Sequence, residues 1–131
     1  MSDFSSAAYD FDAILGGVGN EVIQARSIIR PSSSDLALIP GTVLQFVAAT
    51  PQHVTVWDGQ TNTTVAGILL EPITVTSSAK VCSVLTSGSF KNEHVNVYSD
   101  GDGDPNPTAA QLNQMQVQAG LIATGYEYAR A

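Results

Sequence analysis

The sequence predicts a mainly β domain with one helix near its C-terminus, an α+β body of short strands preceded by an extended N-terminal arm. Short runs rich in Val, Ile, Thr and Leu recur between residues 42 and 98, punctuated by Gly, Pro, Asn and Asp. Only one stretch, near residues 107–119, repeats its apolar side chains at helical spacing. At 131 residues the chain has room for a single core, one that buries roughly two-thirds of the unfolded surface.

Residues 1–20 mix Ser, Ala, Gly and Asp with Phe4, Tyr9, Phe11, Ile14 and Leu15, which follow no sustained period. Such a segment cannot close a core of its own, yet its apolar groups have area to bury on a partner, and it reads as an arm. Residues 22–29, with Val22 and Ile23 at their head, are β-branched-rich. They are either a strand or a continuation of the arm, ending at Pro31 and the Ser32-Ser33-Ser34-Asp35 turn cluster. The arm is therefore assigned to 1–30, with its boundary between 20 and 30, and the body to 31–131.

After Pro40-Gly41, residues 42–49 and 53–57 are β-favouring runs separated by Thr50-Pro51-Gln52 and closed by Asp58-Gly59, which predicts a hairpin region. Residues 65–70 form a third run, in which Gly67 marks a bulge or a close backbone approach. A fourth, 80–86, is expected to end at Ser87-Gly88-Ser89, and residues 90–98 supply a fifth. Asn106-Pro107 or Thr108 caps the helix and Pro107 suits its first position. Leu112, Met115 and Ala119 give its apolar face, Gly120 stops it, and residues 121–126 return to strand composition.

Charged residues make up 13% of the chain, about half the usual share. A surface so neutral can be covered by a partner without desolvating many charges. Five Lys and Arg against twelve Asp and Glu give a net charge of −7, which repels phosphate backbones and argues against a nucleic-acid partner. No apolar stretch approaches the ~20 residues of a membrane span, and the first 25 residues carry no Lys or Arg, so neither a membrane partner nor a secretory leader is expected. Cys82, the only cysteine, lies in the apolar run Val81-Cys82-Ser83-Val84-Leu85, as a small buried hydrophobe made in a reducing cytoplasm would.

Candidate chemistry is sparse. Asp100, Asp102 and Asp104 are spaced two apart, as in calcium loops, but Pro105 and Gln111 stand where an EF-hand needs Gly and Glu. A solvated acidic turn ahead of the helix is the plainer reading, calcium binding by the three carboxylates is the weaker alternative, and no cofactor is expected. His53 and His94 are the only imidazole bases, neither in a recognisable signature with Cys82 or a serine. A Cys82–His94 dyad conflicts with the apolar setting of the thiol. The pattern Gly-x-Ser-x-Gly is absent, as are phosphate-binding and zinc-binding spacings, so no catalytic residue is assigned. Trp57, set between β-favouring residues, is expected in a core or subunit interface.

Gly41-Thr42-Val43-Leu44, Val56-Trp57-Asp58-Gly59 and Val65-Ala66-Gly67-Ile68-Leu69 follow one another in an order and spacing that resemble the lambda-type head decoration proteins of tailed bacteriophages. The likeness continues through residues 79–84, through Ser87-Gly88-Ser89-Phe90-Lys91-Asn92, and into Gln111-Leu112 and Ala119-Gly120-Leu121-Ile122, covering roughly 41–125. The resemblance marks Leu44, Trp57, Asp58, Gly59, Gly67, Ile68, Gly88 and Phe90 as its motif positions. It implies a non-enzymatic late structural protein, made in the host cytoplasm and carried on the outer surface of the capsid. There it would be a homotrimer that stabilises the expanded head against DNA pressure, its arm binding the major capsid protein. Phe4, Tyr9, Phe11, Ile14, Leu15, Val22 and Ile23 would supply the arm's contacts. Two other readings compete: a carbohydrate- or host-surface-binding module using Trp57, Tyr98, Tyr126 and Tyr128, and an enzyme built around His53, His94 and the acidic turn.

Overall fold

In a computed structural model, which describes residues 14–50, 52–98 and 106–124, one long strand organises the rest. The strands are β1 (Val22–Ile28), β2 (Leu36–Leu38), β3 (Val43–Phe46), β4 (His53–Val56), β5 (Val65–Leu69), β6 (Ile73–Val75), β7 (Lys80–Phe90) and β8 (Leu121–Ala123); α1 spans Ala109–Ala119. The protein is thus mainly β, with a single α-helix among the described residues, near the C-terminus, around a small barrel-like body. The main sheet runs β1-β4-β3-β5-β7-β8, and β1 also pairs with β7, so the first five strands close on themselves. β2 and β6 form a separate two-stranded ribbon.

Closure makes two cores by simple alternation. Ile28, Leu44, Val54, Val56, Ala66, Leu69, Cys82 and Val84, drawn from all five ring strands, fill the interior, and Leu38 and Val75 of the ribbon join them. The neighbouring positions Val43, Val65, Ile68 and Leu85 face the other way and pack with Trp57, Phe90, Val95, Met115 and Leu121 under the helix. β5 is buried along its whole length because it serves both cores.

β3 and β4 form the expected hairpin, with Leu44 opposite Val56. Gly67 sits where the β3–β5 register shifts, and a Cβ there would stand 2.5 Å from the Leu85 carbonyl oxygen, so both roles expected of it hold. In α1, Thr108 is the cap: its hydroxyl accepts from Gln111 N–H while the Gln111 side chain accepts from Thr108 N–H. Pro107 therefore precedes the cap instead of opening the helix. Met115 is buried, Leu112 and Ala119 lean on the core, and Gly120 closes the helix with φ 69°.

Other expectations change. β7 does not stop at Ser87-Gly88-Ser89 but continues to Phe90, with Thr86 as an extra residue that bulges the ladder. Gly88 has φ 109°, and a Cβ on it would lie 2.6 Å from the Asn20 carbonyl oxygen; here glycine allows another chain segment to cross, not a turn. Beyond Phe90, residues 91–98 are not a strand: Asn92–His94 is a 3-10 turn, and of these residues only Asn96 bridges, to Thr42. β2 and β6, three residues each, were too short to register in the sequence pattern.

The largest revision is at the N-terminal end. Of the two alternatives for residues 22–29, the strand holds: β1 pairs along its whole length with β7. Ile14 is 2% exposed in the outer core, Leu15 bridges Phe90, and Gly16 N–H donates to Ser89 O at 2.9 Å. Residues 14–28 are thus built into the body, contrary to an arm that runs to 30. Phe4, Tyr9 and Phe11 lie outside the described residues.

Candidate interaction surface

β7 has two edges, and each carries two partners. One edge holds residues 14–16 and then β1; the other holds β8 and then β5. β4 meets β1 only at Ser27 and Ile28, so β1 outruns its neighbour and Val22–Arg26 has an unpaired outer edge among the described residues. Ser83 receives Leu70 N–H on its carbonyl and gives its own N–H to Glu71 Oε2 at 2.6 Å, so it does not bond to Ala25 opposite. By antiparallel alternation the backbone groups of Ala25 and Ile23 point outward.

That edge is guarded. Arg26 Nη1 donates to Ala25 O at 3.2 Å and Nη2 to Gln24 Oε1 at 2.7 Å, so the side chain folds back across its own strand. A groove of about 370 Å³ runs beside it, bordered by Ala25, Arg26, Ser27, Phe46 and Gln52. Phe46 also borders a second groove of about 350 Å³, with Gln45, Val47, Ala48 and Asn62 among its walls. On the face that Ile23, Ala25 and Val81 share, apolar groups reach solvent: Ile23 is 43% exposed and Val81 71%.

The remaining candidates separate in space. Trp57 is fully buried, its indole N–H donating to Thr63 Oγ1 at 2.8 Å and Gln60 O at 3.2 Å, so the ring offers no stacking face. Leu44, Ile68 and Phe90 are equally buried, Gly67 and Gly88 are close-approach sites, and Asp58 accepts from Gln60 N–H in the turn that includes Gly59. Tyr98 is half-buried against the inner core, while Asp100, Asp102, Asp104, Tyr126 and Tyr128 lie outside the described residues.

Burial, then the Glu71 carboxylate nearby, pushes the Cys82 thiol up to about 12, and its Sγ makes a long contact with Arg26 O at 3.6 Å. A neutral thiol is a poor nucleophile. His94 is exposed beside Glu93, whereas His53 Nδ1 lies 2.8 Å from Ser27 Oγ across the β1–β4 seam. That Ser–His pair bridges two sequence regions and could not be read from local spacing. No group of three or more His, Cys, Asp or Glu side chains able to hold a metal occurs among the described residues. No helix there is long and apolar enough to cross a membrane.

The sequence also gave no sign of what the polar face of α1 does. Gln114 and Gln118 donate to Thr63 O at 3.0 and 3.1 Å, and Gln118 Oε1 accepts from Val65 N–H at 2.8 Å, so the helix clamps the loop that holds Trp57. Comparison with protein-family models and with curated proteins finds no match to this chain.

Proposed function

We propose that the chain is a non-catalytic decoration protein of the lambda type, a homotrimer on the outer surface of a tailed-phage head that stabilises the expanded shell. The observation that carries this reading is the ordered set of short motifs that resembles those proteins, with Leu44, Trp57, Ile68 and Phe90 all fully buried. The low share of charged residues, 13% of the whole chain, is in keeping with it. Such a surface loses little solvation when covered. The N-terminal segment that carries Phe4 supplies contacts with the major capsid protein, and three such segments on one trimer raise the effective concentration for the second and third contacts.

The test is mass in solution by light scattering, followed by co-sedimentation with decoration-free expanded capsids. Saturable binding of trimers is expected; protein that stays free at high concentration overturns the reading. A glycan-binding module gains nothing from Trp57, whose ring is enclosed.

A further inference from the structure

We propose that the unpaired edge of β1 is completed by residues 9–13 of a neighbouring copy, added as a strand. Tyr9-Asp10-Phe11-Asp12-Ala13 alternates apolar and acidic residues, the period of a strand whose two faces meet different surroundings. The β1 edge offers that contrast. Gln24 and Arg26 share one face, with a guanidinium as its cation; Ile23 and Val81 share the other and are exposed. Laid along β1, the segment sets Asp10 and Asp12 on the Arg26 face and Tyr9 and Phe11 over Ile23 and Val81. A slip of one residue reverses both matches, so the alternation fixes the register. When a carboxylate takes the guanidinium, Ala25 O is released to accept from the incoming backbone. The groove between β1 and Phe46 is the space this strand enters.

Reach decides that the segment comes from another copy. Ile14 O accepts from Lys91 N–H, which fixes residue 14 beside the far end of β7. Ala25 lies opposite Ser83, and from Ser83 to Phe90 is about 23 Å of strand at ~3.3 Å per residue. Phe11, three residues ahead of Ile14, reaches at most ~11 Å, and Tyr9 at most ~18 Å. A chain therefore cannot lay these residues on its own β1, whereas a neighbour can. The inference does not rest on capsid binding. It gives residues 9–13 to the contact between copies and leaves Phe4 for the shell.

The experiment places the photo-reactive analogue p-benzoylphenylalanine at Phe11 of the full chain. Isotope-light and isotope-heavy protein are mixed in equal amounts without capsids, irradiated, and the crosslinks mapped by mass spectrometry. Heavy-to-light crosslinks between position 11 and Val22–Arg26 are expected. Crosslinks confined to single copies, crosslinks only to other surfaces, or none, overturn the proposal. In a second arm, Arg26→Asp is expected to lower the crosslink yield ~tenfold at unchanged circular dichroism, and adding Asp10→Arg and Asp12→Arg to recover it. A yield indifferent to Arg26→Asp overturns the proposed register. Because no capsid is present, failure here is separate from failure in co-sedimentation.

Discussion

Cys82 packs in the inner core as one of its smallest groups, and its thiol is held up to about 12 against an ordinary value of 9.0. The raised value means that the unfolded chain releases its proton first as pH rises. The contribution to stability is whole below pH 9.0 and is lost progressively towards pH 12. Urea unfolding on either side of pH 9.0 should therefore show a steeper alkaline loss in the native chain than in Cys82→Ala. Native protein near neutral pH should also resist iodoacetamide until unfolded, as read by mass spectrometry. Trp57 gives a second residue-scale test. Trp57→Phe keeps an aromatic ring but breaks the bond to Thr63, and is expected to cost about 1–2 kcal/mol in denaturant unfolding.

Single contacts also decide where elements begin and continue. Thr108→Ala removes one half of the capping box and should cost about 1 kcal/mol, with loss of helical signal. Gly88→Ala meets the Asn20 backbone at a strained φ, so a loss above about 1 kcal/mol is expected, together with faster hydrogen exchange in residues 14–22. These positions also mark how far the sequence could be read. β3, β4, β5 and α1 were legible because each carries its own period or cap. The run Ser87-Gly88-Ser89 was misread because turns and crossings favour the same small residues, and only the distant Asn20 distinguishes them. Residues 90–98 alternate like a strand, yet Asn92–His94 turns, held by Asn106 Nδ2 donating to Asn92 O and Val95 O. Of the candidate surface, the exposed Val22 and Ile23 were marked in the sequence, but the edge of β1 and the Ser27–His53 pair depend on pairings far apart in the chain.

At the scale of the molecule, the N-terminal end belongs partly to the body, and truncation should reveal where the division falls. Deleting 1–13 is expected to leave the fold of each copy intact, with an unchanged circular dichroism spectrum. Deleting 1–20 also removes Ile14 from the outer core and the Asn20 side chain from Ser89 N–H, for an expected cost of ~2–4 kcal/mol. Loss of capsid co-sedimentation by the shorter deletion alone would assign binding to the segment ahead of Ile14. The placement of residues 14–28 also sets how the molecule bears force. Ile14–Gly16 and β1 lie along the same edge of β7, antiparallel to it, and their hydrogen bonds run across the strand direction. A pull delivered through the chain ahead of Ile14, parallel to β7, loads those bonds together in shear and cannot peel them one at a time. The protein therefore yields last to a load applied along that line.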